Sequence, residues 1–339
     1  MTRNTTGRKL PLRMPPGWEP PVPAWSSVFS ENQQHVSMCI IGCQHKSDAQ
    51  ISEFVGALNS LAQKADVCDF ATCEDKDGYS QTIAIIYWMD AQSCADWLHS
   101  DAVTLFWELY SDDKWEFGIF REVFNVPFER LETLFSGPLH NHGFSQIRKD
   151  IEGPIERHGY WGGMRDRIPL SAENPFEADQ TLEVIEQHGN RVVVRAHENL
   201  CIIRSGQDWS NTTGTQREEY LNQIEPVLKA GMNFLRDEGD EVNCYSCRYM
   251  TQFLPFKGKQ ECTFGLAFFR TMSDLEAWSE SHPTHVAIFN TFLEIAPKYG
   301  PDLQLQLWHE VSVLPAGSQY GEYINCTEGT GLLSGVKLS

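Results

Sequence analysis

Two stretches far apart in the chain resemble each other: Ala95-Asp96-Trp97-Leu98-His99-Ser100 and Glu276-Ala277-Trp278-Ser279-Glu280-Ser281. When they are aligned, Trp97 coincides with Trp278 and Ser100 with Ser281. Further along, residues 120–127 resemble residues 308–315 after a shift of seven positions. Self-similarity of this kind is typical of a duplicated structural unit. We therefore expect two copies of one unit.

Each copy has the pattern of strands alternating with helices. Strands are predicted at residues 36–43, 82–88, 191–195 and 200–205, and helices at residues 48–63, 93–110, 218–237 and 273–279. Two such units can bury their apolar sheet faces against each other. The fold class predicted is therefore α+β, with duplicated ferredoxin-like units forming a dimeric-α+β-barrel-type core and helices packed outside.

The remaining segments flank and join the two copies. A run of prolines marks an N-terminal arm, and a long Gly- and His-containing segment joins the copies; long ordered connections often carry function. We divide the chain into a Pro-rich arm (1–34), a first α+β repeat (35–135), a connecting segment (136–190), a second α+β repeat (191–326) and a C-terminal tail (327–339).

Composition and charge exclude several classes of protein. The 339 residues are 41% apolar, enough for a core, and 27 basic against 46 acidic residues give a net charge of −19. Such a charge repels nucleic acid and anionic lipid surfaces, so neither is an expected partner. The longest apolar run, residues 82–89, is far shorter than the roughly 18 residues of a membrane helix. The N-terminus has no apolar signal region, and the ten cysteines are irregularly spaced, so we expect a cytoplasmic protein with free thiols.

His285 is a candidate ligand for a metal or haem iron. It follows Ser281-His282-Pro283-Thr284, a sequence that predicts a helix start, and it shares a predicted helix face with Phe289 and Phe292. From spacing alone, a core histidine bonded to a carbonyl is favoured over an iron ligand.

Two further candidates lie on predicted strand faces. Residues 303–311 alternate cleanly, which puts His309 on the same face as Leu305, Leu307 and Val311. The same alternation puts Ser205 on a face with Cys201 and Ile203. Polar groups at such positions require partners, and a catalytic pocket or ordinary structural hydrogen bonds explain them equally well.

The connecting segment and its neighbourhood hold weaker candidates. In the loop His158-Gly-Tyr-Trp-Gly-Gly-Met-Arg-Asp-Arg167, spacing alone favours a solvated ion pair for each arginine. By default Glu132 is a surface carboxylate. His140-Asn-His142 has a spacing usable for metal binding, although a flexible surface loop is the favoured interpretation.

Several motifs together resemble the haem-containing aldoxime dehydratases. They are the loop from His158 to Arg167, Arg191-Val-Val-Val-Arg-Ala-His-Glu-Asn199, Ile203-Arg-Ser-Gly-Gln-Asp-Trp209, Trp278-Ser-Glu-Ser-His-Pro-Thr-His285, His309-Glu-Val-Ser-Val313 and Tyr323-Ile-Asn-Cys326. The resemblance runs from about residue 10 to residue 333. It implies an enzyme that dehydrates aldoximes, R-CH=N-OH, to nitriles and water with a haem b that is ferrous in its active state. It also implies a homodimer.

The resemblance also suggests roles for individual residues. His285 matches the proximal iron ligand and His309 the distal acid-base group. Ser205 matches a serine that bonds the substrate hydroxyl, and Arg167 an arginine near it. Glu132 is similar to a glutamate tied to activity. Two alternatives remain open at this stage: a haem peroxidase or dioxygenase of similar barrel fold, and a non-enzymatic haem sensor or carrier.

Overall fold

The computed structural model describes residues 8–48, 50–112, 114–317 and 319–338. The first seven residues of the predicted arm and the last residue of the predicted tail lie outside these ranges. In the described part, the strands are β1 (Ser26–Val28), β2 (His35–His45), β3 (Val67–Glu74), β4 (Ser80–Trp88), β5 (Phe117–Pro127), β6 (Leu131–Phe135), β7 (Asp150–Glu152), β8 (Glu183–His188), β9 (Arg191–Arg195), β10 (Cys201–Asp208), β11 (Cys244–Leu254), β12 (Gly258–Phe269), β13 (Gln306–Val313) and β14 (Tyr320–Ile324).

The α-helices of the same part are α1 (Ile51–Ala62), α2 (Ala91–Leu98), α3 (Asp101–Tyr110), α4 (Gly163–Arg167), α5 (Gly214–Glu219), α6 (Glu225–Asp237), α7 (Met272–Ser281) and α8 (Pro283–Ile295). Strands and helices are therefore both abundant. The predicted α+β class is confirmed.

One large antiparallel sheet dominates the fold. Across the described residues its order is β6-β13-β10-β12-β11-β3-β4-β2-β5-β14-β9-β8. The order β13-β10-β12-β11 in one half mirrors β5-β2-β4-β3 in the other, and the halves meet where Phe70 of β3 pairs with Phe253 of β11. The similar segments 120–127 and 308–315 thus fall on β5 and β13, which occupy matching positions.

The sheet curls so that strands of opposite halves face each other across a shared core. The rings of Phe124 on β5 and Phe268 on β12 lie 5.6 Å apart, and the Tyr87 hydroxyl on β4 donates a 2.6 Å hydrogen bond to Glu310 on β13. Two further apolar clusters join the outer faces to helices, one around Phe54 of α1 and one around Trp278 of α7. The helices therefore cover the outside of the curled sheet, as predicted.

Local signals explain where the predicted helix at residues 93–110 differs from the structure. The segment forms two helices, because the Ser100 hydroxyl accepts a hydrogen bond from the Val103 amide and caps a new helix. The predicted helix at residues 218–237 is also interrupted: α5 and α6 are separated by one π-helical turn, Tyr220–Ile224.

Two strand predictions were incomplete. The strand expected at residues 303–311 begins only at Gln306, because short 3₁₀ turns precede it. The connecting segment contains two unpredicted strands: β7, which pairs with β1, and β8, which pairs with β9. Cys244 and Cys247 lie buried on β11, consistent with the interpretation that they are ordinary core cysteines.

Candidate active site

A cavity of about 820 Å³ lies between the outer face of the second half of the sheet and the helices that cover it. Strands β10, β12 and β13 form its floor, α8 one wall, and the N-terminal arm with the α4 loop another. Its walls are mainly apolar and include Trp161, Met232, Ile288, Phe289 and Phe292. The cavity has the size and apolar character of a cofactor or ligand site.

His285 lies on the first turns of α8 and lines this cavity, together with Phe289 and Phe292 as the helical spacing predicted. Its Nδ1 is 2.6 Å from the Ser279 carbonyl oxygen, so Nδ1–H donates there and the neutral ring keeps its proton on Nδ1. Burial lowers the pKa of His285 to about 4. The geometry leaves Nε2 as a neutral, unprotonated nitrogen of the kind that binds metals.

His309, Arg167 and Glu132 form one cluster beside the same cavity. Glu132 Oε2 accepts a 2.6 Å hydrogen bond from Arg167 Nε, and Glu132 Oε1 lies 2.9 Å from His309 Nε2. Arg167 Nη2 is also 2.9 Å from His309 Nε2. Burial raises the pKa of Glu132, but the charges of Arg167 and His309 outweigh it and lower the pKa overall. The carboxylate therefore stays ionised.

In this cluster His309 Nε2 has a hydrogen-bond partner within reach whether or not it carries a proton. A guanidinium only donates, so when Arg167 bonds to Nε2 the neutral imidazole carries its proton on Nδ1. When Nε2 is protonated instead, Glu132 Oε1 is the acceptor within reach. A histidine held in both states can take up and release a proton without leaving its position.

Ser205 is the strand partner of His309. The two residues are opposite each other in the antiparallel register of β10 and β13, and both side chains line the cavity. Within the described part of the chain, the Ser205 hydroxyl has no protein hydrogen-bond partner. It is therefore available to a bound molecule.

Four of the five candidates, His285, His309, Ser205 and Arg167, thus line one cavity, with Glu132 directly behind them. Two default interpretations were wrong. Glu132 is buried, not on the surface, because β6 runs beside β13 and brings it under Arg167. The side chains of Arg167 and Arg165 are only 7% and 9% exposed in their ion pairs with Glu132 and Glu276, so neither ion pair is solvated.

The favoured interpretation of His140-Asn-His142 as a flexible surface loop was also wrong. His140 is only 2% exposed, and His142 caps a 3₁₀ turn that packs on the sheet.

One polar cavity residue was missed as a candidate. His158 is 2% exposed and lines the cavity, and its Nε2 has no hydrogen-bond partner among the described residues. Burial lowers its pKa to about 4, with a smaller contribution from Arg167. Its position at the start of the loop from His158 to Arg167 was the signal in the sequence that could have found it. The spacing of polar residues, however, does not show whether a side chain is buried.

One family model covers most of the chain. The family model described as "Haem-containing dehydratase" matches residues 39–332. The chain belongs to the haem-containing dehydratases. The predicted family and the predicted haem cofactor are confirmed, and the chain is an enzyme of the dehydratase class.

Relatives of this haem-containing dehydratase match almost end to end. It is 36% identical to an aliphatic aldoxime dehydratase of Rhodococcus erythropolis, covering 96% of this chain and 94% of that one. It is 33% identical to a phenylacetaldoxime dehydratase of Bacillus sp. (strain OxB-1), covering 94% and 93%. A crystal structure of an aldoxime dehydratase in complex with butyraldoxime superposes with a TM-score of 0.92 at 35% identity, over 97% of this chain and 94% of that one.

The residues around the cavity fit a haem. The cavity is large and mainly apolar, and His285 presents a neutral nitrogen whose partner nitrogen is fixed by Ser279. The rings of Trp278 and Trp161 lie 4.7 and 6.0 Å from the His285 ring and add flat apolar surface. Over the described ranges, no helix has the length and hydropathy to cross a membrane.

Proposed function

We propose that this haem-containing dehydratase converts aldoximes, R-CH=N-OH, to nitriles and water. The observation that carries the proposal is His309 Nε2 held 2.9 Å from both Arg167 and Glu132, in the cavity that His285 and Ser205 also line. The names of relatives that match nearly the whole chain support the same substrate class.

In this proposal His285 Nε2 would hold the iron of haem b, while His309 and Ser205 act on the substrate. When bound there, ferrous haem would supply the electron density that weakens the nitrogen–oxygen bond of the oxime. The Ser205 hydroxyl bonds the substrate hydroxyl and fixes its direction.

His309 moves two protons. Its charged form keeps Nε2–H on Glu132 Oε1, and Nδ1–H protonates the oxime oxygen, which leaves as water with the electron pair of the nitrogen–oxygen bond. The freed Nδ1 then takes the proton of the oxime carbon, and that electron pair completes the carbon–nitrogen triple bond. Atoms and electrons balance, and no external reductant is consumed.

Arg167 and Glu132 are positioning residues. Arg167 donates Nη1 to the Arg157 carbonyl oxygen at 2.7 Å, Nε to Glu132 and Nη2 to His309, so its guanidinium is fixed on three sides. Glu132 lies within hydrogen-bond distance of both Arg167 Nε and His309 Nε2 and so holds the two side chains relative to each other.

The test is to incubate the haem-loaded protein with an aldoxime without oxygen and to measure the nitrile. We expect the dithionite-reduced protein to form nitrile and the oxidised protein to be nearly inert. Equal rates in both states would contradict the electron-donating role of the iron. Peroxide turnover without nitrile would favour a haem peroxidase, and haem binding with neither activity would favour a sensor or carrier.

We also propose that the fold is a duplication of ferredoxin-like units with the segment boundaries given above. The mirrored strand orders on either side of the β3–β11 contact support it. A proposed homodimer is supported by exposed Leu105 and Leu109 on α3 and is tested by light scattering after size-exclusion chromatography. A proposed cytoplasmic location is supported by ten free cysteines.

A further inference from the structure

A second group of ligand-type side chains lies on the other face of the sheet from the haem cavity. It consists of His142 from the loop before β7, Asp208 at the end of β10 and Cys262 on β12. One nitrogen, one oxygen and one sulfur ligand atom there lie within 4.8 Å of one another. Asp208 is three residues beyond Ser205, so its side chain leaves β10 on the opposite face.

The three side chains are already held in position. Asp208 and Cys262 are opposite each other in the β10–β12 register, which fixes their backbones. The His142 ring stacks on Trp308 at 5.4 Å and 5°, and its Nε2 is 3.3 Å from Asp208 Oδ2. Asp208 Oδ1 accepts hydrogen bonds from Ser210, which leaves Oδ2 as the ligand atom.

The group also has an entry path. All three residues line a cavity of about 560 Å³, separate from the haem cavity. Beside it, His140 is 2% exposed and its Nδ1 has no hydrogen-bond partner in the described part of the chain, with its ring 6.2 Å from that of His142. An ion pair between His142 and Asp208 explains why these two side chains lie together. It does not explain why the Cys262 thiol and His140 Nδ1 lie beside them.

We propose that His142, Asp208 and Cys262 form a binding site for one Zn²⁺ ion, with water as the fourth ligand. Thiolate, imidazole and carboxylate together are a zinc ligand set, whereas Mg²⁺ and Ca²⁺ require oxygen ligands. The ion would join the loop at residues 136–149 to β10 and β12, with His142 packed on Trp308 of β13. Strands β10 and β13 also carry Ser205 and His309.

The test is calorimetric titration of Zn²⁺ into the chelator-treated, haem-loaded protein, with metal analysis of zinc and iron after dialysis. We expect one zinc per chain in the wild type. The variants Cys262→Ala and His142→Ala should weaken binding at least about 10-fold, because even outer partners of metal ligands contribute 10- to 100-fold. Cys94→Ala, another buried cysteine on α2, is the matched control and should bind as the wild type does.

Haem content and nitrile formation report whether each variant is folded. If Cys262→Ala does not fold, Asp208→Asn replaces it, because the amide keeps the shape of the carboxylate but not its charge. No zinc above the level of a non-specific control protein would overturn the proposal, as would binding of equal affinity in the wild type and all folded ligand variants.

Discussion

Ser205 and His309 are directly opposite each other on neighbouring antiparallel strands, and both side chains line the cavity in which we propose that the haem binds. Side chains opposite each other on one sheet face are a few ångströms apart, so both can reach one small molecule. A hydroxyl and an imidazole so placed can bind and protonate the same oxygen.

Ser205→Ala should therefore impair the positioning of the substrate hydroxyl. We expect kcat to fall by up to about 100-fold while haem content stays at the wild-type level. Nitrile formation and the Soret band measure the two effects. Ser60→Ala, a hydroxyl removed from the exposed side of α1, is the control; an unchanged kcat in Ser205→Ala would remove Ser205 from the site.

His285→Ala should abolish stable haem binding. The variant loses the neutral nitrogen that Ser279 orients, and apolar contacts alone remain. Haem retained after gel filtration measures the effect, with His188→Ala, an exposed histidine, as the control. Full haem content and an unchanged Soret band in His285→Ala would contradict the assignment.

Glu132→Gln and Arg167→Gln should each destabilise the fold. Each leaves a buried charge without its opposite, a change that costs about 3–5 kcal/mol. The double variant should lose less free energy of unfolding than the two single variants lose together, because it leaves neither charge uncompensated. Denaturant unfolding followed by tryptophan fluorescence gives the three free energies; additivity would mean that the pair does not interact.

Acid should destabilise the protein in part through His158. The pKa of His158 is about 4 in the folded chain, against about 6.5 when unfolded, so the unfolded chain binds more protons between these values. The contribution of His158 to the free energy of unfolding is fully present above pH 6.5. It is lost as the pH falls toward 4, by up to roughly 3 kcal/mol. His158→Gln, which does not titrate, should show a shallower decline of unfolding free energy over this range. Parallel curves for the two proteins would refute this contribution.

Periodicity was a good guide to the faces of elements. Alternation along β13 and β10 correctly placed His309 and Ser205 on the helix-covered face of the sheet with their apolar neighbours, and helical spacing correctly grouped His285 with Phe289. These features depend on neighbours a few residues apart. The duplicated pattern also located the strands that hold matching positions in the sheet, β5 and β13.

Such patterns do not predict contacts between segments that are distant in the sequence. Glu132 and Arg167 meet because β6 pairs with β13 and the α4 loop folds over them, and neither residue stands in an apolar pattern that predicts burial. The same holds for His158 and His140. The indole of Trp18 in the N-terminal arm donates to the His158 carbonyl oxygen, and the ring of Phe135 on β6 lies 5.7 Å from that of His140.

The most direct test of the account is nitrile formation by His309→Ala, compared with the wild type as reduced, haem-loaded protein without oxygen. The variant should retain haem and still show a spectral shift when an aldoxime is added, because His285 and the cavity are intact. Its rate of nitrile formation should fall by about 10²- to 10⁴-fold, the usual contribution of a general acid-base group. Turnover by His309→Ala at the wild-type rate would contradict the assignment of His309 as the group that moves the protons.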